Sequence, residues 1–224
     1  MIASNSSYLH LVVDELMKTW PQNRTINLVF HGHSVPAGYF ATPFVDTFNA
    51  YPHLLHRALK ERFPFAVINA IVTAVGGETS DLGAARFKEE VLGHRADLLT
   101  IDYALNDRKI GLFTAEKSHR EMLEAALEKG WKVLLLGPSA DKRCLYDHDD
   151  RRRLDAHNAQ LKSLADEYNV GYVDILSVFD KEQKKGELDG FLSWHHHPNA
   201  AGHALIAAEL MKWFPIPAIR ASRE

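Results

Sequence analysis

Residues 26–38 read INLVFHGHSVPAG. The first five are apolar except for Asn27, a run with the length and composition of a strand buried on both faces. Small, turn-forming residues then end it, so Ser34 falls just past a strand's carboxyl end. Whether that serine is a nucleophile or a turn residue between histidines depends on what the rest of the chain brings to it.

Working outward, the same pattern repeats. Before the strand, Leu9, Val12, Val13, Leu16 and Met17 recur at helical spacing and Pro21 ends the segment, which predicts an N-terminal helical extension over residues 1–24. After it, helices are expected near 50–62, 80–92, 114–129 and 150–168, with a last one starting near Pro198. Strands are expected near 65–71, 98–103, 131–136 and 171–175. Alternating strands and helices imply parallel pairing through right-handed crossovers, hence an α/β fold: a three-layer α/β/α sandwich around a central parallel sheet. A chain of 224 residues suits one domain, with a core over 25–214 and no Gly-, Ser- or Pro-rich linker. The charged run Lys181 to Glu187 reads as a solvated loop, and Asp147 to Arg153 as a solvated helix start rather than a phosphate site.

Composition removes several classes. With 26 Lys and Arg against 29 Asp and Glu, a net charge of −3 supplies no general attraction for nucleic acid. One cysteine, Cys144, excludes an internal disulfide framework and a cysteine zinc cluster. The first residues lack a basic start, and Asp14 and Glu15 interrupt the apolar ones, so no secretory signal or membrane span is read and a cytoplasmic protein is expected, unless a leader has been removed.

In parallel sheets, ligands gather where loops leave the carboxyl ends of strands. After the first strand comes Gly32-His33-Ser34, after the second Gly76-Gly77-Glu78-Thr79-Ser80, after the third Ala104-Leu105-Asn106-Asp107, and before the last helix Trp194-His195-His196-His197-Pro198. A serine needs a base, and histidine has the pKa for that task. A tetrahedral oxyanion needs fixed donors, which a glycine N–H and an asparagine amide supply. These residue types together fit acyl transfer.

In these blocks the chain resembles the SGNH hydrolases, or GDSL-type esterases and lipases. Gly32-His33-Ser34-Val35-Pro36-Ala37-Gly38 is similar to the first block, Gly76-Gly77-Glu78-Thr79-Ser80 to the second, Ala104-Leu105-Asn106-Asp107 to the third, and His197-Pro198-Asn199-Ala200-Ala201-Gly202-His203 to the fifth. The resemblance runs in order from about Ile26 to Trp213 and implies a flavodoxin-like fold. It implies Ser34 as nucleophile, His197 as base, and Ser34 N–H, Gly77 N–H and Asn106 as the oxyanion hole. Three positions depart from the pattern. His33 replaces the usual Asp before the serine, Ala104 replaces a Gly, and Trp194 stands three residues before His197 where the family carries an Asp. The last substitution removes the acid that would hold imidazole Nδ1. A Ser34–His197 dyad is therefore expected, with the main-chain carbonyl of Trp194 orienting the ring and Asp189 as second choice. His33 and Asp107 are expected to support the site from behind.

His195, His196 and His197 invite a metal reading, joined by His31 and His33. Adjacent residues on extended chain point opposite ways, so no metal site and no cofactor are expected. The leading expectation is an ester hydrolase acting on short acyl esters such as acetylated carbohydrate. A weakened binding module of the same fold and a histidine-metal hydrolase are the alternatives, and homo-oligomerisation is left open.

Overall fold

The computed structural model describes residues 1–216. Its sheet holds β1 (Thr25–Gly32), β2 (Val67–Val72), β3 (Leu98–Asp102), β4 (Lys132–Leu136) and β5 (Gly171–Val173), all parallel, in the order β2-β1-β3-β4-β5. The helices are α1 (His10–Leu16), α2 (Ser34–Ala37), α3 (Tyr51–Arg62), α4 (Ser80–Glu90), α5 (Ala104–Asp107), α6 (Gly111–Glu128), α7 (His148–Tyr168), α8 (Ile175–Lys184) and α9 (Ala200–Met211). Among the described residues no helix is long and apolar enough to cross a membrane.

Both faces of the strands are apolar because both are covered. Ile26, Leu28 and Phe30 of β1, with Leu134 and Leu136 of β4, join Val12 of α1, Leu55 of α3, Phe179 of α8 and Ile206 of α9. On the opposite face Val29, Leu99, Ile101 and Val133 meet Phe87 of α4, Met122 of α6 and Leu161 of α7. That is the three-layer α/β/α sandwich expected from the run at residues 26–30. The N-terminal segment is built into it: Leu9, Val12, Val13 and Leu16 are buried, and Val133 N–H donates to the Tyr8 hydroxyl at 3.1 Å.

Element bounds depart from expectation where side chains cap helices. Asp147 accepts from the N–H groups of Asp149 and Asp150, so α7 starts at His148. Asp174 accepts from Ser177 N–H and Oγ–H, which ends β5 early and opens α8, a helix that takes in residues 181–184 of the charged run expected to be loop. Asn199 caps α9 through Gly202 N–H, so Pro198 precedes the helix instead of beginning it.

The order places β1 between β2 and β3, the position at which the winding reverses and loops diverge to leave a crevice. Gly32 pairs with Asp102 across β1 and β3, so the loops that carry Ser34 and Asn106 leave the sheet side by side.

Candidate active site

Ser34 is the first residue of α2, a single helical turn. His33 caps it, its Nδ1 accepting from Val35 N–H at 3.2 Å, and Gly38 closes it in the left-handed conformation. The turn holds Ser34 Oγ 2.9 Å from Nε2 of His197, both residues being buried. On the far side of that ring Nδ1 lies 2.6 Å from the main-chain carbonyl of Phe40. A carbonyl only accepts, so Nδ1 carries the proton and Nε2 is left as the acceptor for the serine hydroxyl. Burial lowers the His197 pKa below the ordinary histidine value; the Phe40 bond pushes it up and His33 pushes it further down.

The carbonyl that orients His197 is therefore Phe40's, and the expectation that Trp194 supplies it is corrected. Ser193 N–H and Oγ–H both bond to the His197 carbonyl, closing a tight loop that turns Trp194 outward, where it is 46% exposed. Asp189, the second choice, is 86% exposed and pairs with Lys142. Phe40 is held from the opposite direction: its buried ring packs on His203 of α9, with centroids 5.1 Å apart. His203 in turn accepts Tyr51 N–H at the start of α3.

The candidate oxyanion donors come from the neighbouring loops. Gly77 has φ +81°, a conformation that side chains with a Cβ resist. Its successor Glu78 turns its carbonyl to Asn106 Nδ2 at 2.9 Å, tying the two loops together and leaving the second amide hydrogen of Asn106 unused by this bond. Asp107 supports the same junction from below, accepting Ser80 N–H at 2.8 Å, and burial raises its carboxyl pKa.

Glu78 is the residue that sequence reasoning passed over. Its buried carboxylate receives both Nε and Nη2 of Arg86, at 2.7 and 2.6 Å, and the Tyr103 hydroxyl at 2.7 Å. Tyr103 also contacts His31, whose ring is completed by Thr73. Gly83 makes this approach feasible, since a Cβ there would overlap the tyrosine hydroxyl. The Arg86 pKa rises, chiefly through its bonds to Glu78, and burial raises that of Tyr103. A signal existed in the acid directly after the glycine turn with an arginine eight residues on. Nothing in the sequence announces that they meet under the turn.

His33, where the family carries aspartate, has its own carboxylate. Its Nε2 lies 3.3 Å from Asp102, which also accepts the Tyr51 hydroxyl at 3.2 Å. Nδ1 accepts Val35 N–H, which leaves Nε2 as the donor nitrogen; it approaches Asp102 without forming a hydrogen bond to it. The remaining histidines go separate ways: His195 is exposed, and His196 stands edge-on to His197. Among the described residues, the cluster spaced for a metal is Asp141, Cys144 and Asp150, and Arg108 already spans it, with Nη2 2.7 Å from Asp141 and Nη1 2.7 Å from Asp150. Arg108 and Asp150, with Lys109, Arg143, Arg153 and His196, border a cavity of about 510 Å³ that opens beside Asn106. Arg153, at the start of α7, is thus part of a concave site, while Arg152 stays on the solvated face expected there and Arg151 pairs with Asp155 and Asp180.

The family model of the GDSL-like lipases and acylhydrolases matches residues 30–205, which contain every site residue named above. An acetylxylan esterase from Geobacillus stearothermophilus is 27% identical over 169 residues, covering 69% of this chain and 75% of that protein. A solved structure of an acetylxylan esterase from the same organism has TM-score 0.75 at 20% identity, over 92% of this chain and 99% of that one. A two-domain esterase active on acetylated mannans gives 0.73 at 20%, over 92% and 52%. At such identities these structures show a shared fold. Catalytic mutants of the Geobacillus esterase replace a histidine and an aspartate three residues before it; at that spacing from His197 this chain has Trp194.

Proposed function

Because the chain belongs to the GDSL-like lipase/acylhydrolase family, and so to the carboxylic ester hydrolases, we propose that Ser34 and His197 form a two-residue acyl-transfer centre. What carries this reading is the 2.9 Å contact from Ser34 Oγ to an imidazole nitrogen whose partner nitrogen donates to a fixed carbonyl. The hydroxyl proton passes to Nε2 as Oγ attacks the acyl carbon. Ser34 N–H, Gly77 N–H and Asn106 Nδ2 receive the oxyanion. His197 then protonates the leaving alkoxide, and a water activated by the same nitrogen cleaves the acyl-serine. The imidazolium formed in between is steadied by the dipole of the Phe40 carbonyl instead of a carboxylate, which supports it less strongly.

For substrate we propose short acyl esters of carbohydrates. The relatives that act on acetylated xylan and acetylated mannans support this, as do Phe44 and Trp194, exposed aromatic rings in the two segments that carry the Phe40 carbonyl and His197. The test is turnover of 4-nitrophenyl acetate and acetate release from acetylated xylo-oligosaccharides. Ser34→Ala and His197→Ala should each lose about 10³-fold or more in kcat, with fluorophosphonate labelling abolished by the first. Activity within tenfold of the parent in either variant would sink the reading. Activity resistant to chelators is also expected.

A further inference from the structure

The cavity beside Asn106 has a charge composition opposite to that of the chain. Arg108, Lys109, Arg143 and Arg153 line it against one lining carboxylate, Asp150, while the chain as a whole carries −3. A second carboxylate, Asp141, lies fully buried behind the wall. The side chains are stationed in sequence. Arg108, 8% exposed, divides its guanidinium between Asp141 and Asp150; Asp141 also holds Arg143 at 2.7 Å, and Asp150 holds Arg153 at 3.4 Å. Each acid is shared by two arginines, and Lys109 pairs with no carboxylate among the described residues. Asp147, near Arg153, directs its oxygen to the N–H groups of α7. The two outer guanidiniums, those of Arg143 and Arg153, are more than half exposed.

This surplus sits next to the reacting groups of the proposed centre. The inner wall is made by Asn106, the side-chain oxyanion donor of that reading, and by His196, which abuts the base. About 510 Å³ is within the range of roughly 300–1,000 Å³ typical of small-ligand pockets and leaves space for a sugar unit. Guanidinium forks match planar carboxylates, and Lys109 adds a point charge.

We propose that this cavity takes a carboxylate carried by the substrate, so that the preferred substrates are acyl esters of acidic sugars such as hexuronic acids. The proposal rests on the ester-hydrolase reading for its chemistry and on the cavity for its selectivity, and the two are tested apart. Selectivity is read as the ratio of kcat/KM for an acetylated methyl glucuronoside over its carboxamide, which keeps the shape but removes the charge and turns one acceptor oxygen into a donor, so any general loss of activity cancels. The parent should favour the carboxylate about tenfold or more at low salt, with the ratio falling as salt is added. Lys109→Gln and Arg153→Gln should each lower it about threefold, and the pair together further. A ratio near one, a ratio unmoved in the double variant, or a stronger preference for a phosphorylated sugar ester would overturn the proposal. If no ester is turned over, calorimetry with unacetylated methyl glucuronoside and methyl glucoside still decides. Tighter binding of the glucuronoside that is lost in the double variant upholds the cavity, and equal binding overturns it.

Discussion

The junction under the loop of the proposed oxyanion donors is open to a direct test through Arg86 and Glu78. The Glu78 side chain is 7% exposed and that of Arg86 15%, and they share two bonds at 2.6–2.7 Å. Arg86→Met leaves a buried carboxylate with the Tyr103 hydroxyl as its remaining side-chain partner, which costs about 3–5 kcal/mol. Glu78→Gln keeps the shape but makes the bonds neutral on one side, costing about 1–3 kcal/mol. In the double variant no charge is stranded, so its loss should fall short of the sum by about 1–3 kcal/mol. Urea melts of the four proteins measure this. The functional consequence follows from the backbone: the Glu78 carbonyl anchors Asn106 Nδ2 at 2.9 Å, and a shifted carbonyl misaims that donor. At a temperature where every variant is folded, kcat of Arg86→Met should drop about 10–100-fold with KM much less affected. A folded Arg86→Met protein with kcat within twofold of the parent would refute the positioning role, and strictly additive melts would refute the coupling.

Four further outcomes are expected. Because burial lowers the His197 pKa and the base must be neutral, the acid limb of kcat/KM for 4-nitrophenyl acetate should lie below pH 6.5; a limb above 7 contradicts the assigned environment. Phe40→Ala removes the ring that rests on His203 and frees the carbonyl behind His197, so kcat should fall about tenfold or more, with a stability loss of about 3–5 kcal/mol by melts. His33→Asp, which restores the family residue, should be worse than His33→Asn. The aspartate would lie against buried Asp102, whereas asparagine still caps α2; adding Asp102→Asn should rescue His33→Asp, and absence of rescue counts against the electrostatic cause. His31, His157 and His203 are buried, with pKa values lowered mainly by burial to about 4, 4 and 3. Between those values and the unfolded 6.5 the unfolded chain binds more protons, so stability falls as pH drops. Each histidine should withdraw about 2 kcal/mol by about pH 5, visible as a Tm decline from pH 8 to 5 that His157→Leu makes shallower.

Much of this was legible in residues 26–34, because a strand covered on both faces must be apolar throughout and a parallel sheet sends its functional residues to the strand ends. Ser34 and His197 were legible as candidates for the same reason: a proposed nucleophile and base are side chains, and side chains are what a sequence displays. The Phe40 carbonyl was not legible, since every residue owns a carbonyl and only loop geometry selects one. Trp194 was the natural choice by spacing along the chain, yet the Ser193 bonds to the His197 carbonyl turn that segment away. Glu78 and Arg86 were legible as residue types but not as a pair. The start of α7 is largely the solvated face expected, its acids and arginines pairing locally, but Arg108, adjacent to the asparagine block, draws Asp150 from it and Asp141 from the preceding turn into one wall, which the sequence does not display.

The unusual residues then account for one another. One serine proton faces two imidazole nitrogens, His197 Nε2 at 2.9 Å and His33 Nδ1 at 3.4 Å. The second is already engaged by Val35 N–H, so it does not compete as a base, and the shorter contact takes the proton. The carboxylate nearest this pair, Asp102, stands behind His33 and not behind His197. The site thus carries an acid, but beside the imidazole that caps the Ser34 turn. His197, lacking that charge and partly stripped of solvent, becomes a weaker base that stays neutral to lower pH. A weaker base costs rate at the attack step, but its conjugate acid is correspondingly stronger and gives the proton more readily to the departing alkoxide. A carboxylate placed behind His197 in place of the Phe40 carbonyl should therefore raise the pH of the acid limb along with the strength of the base.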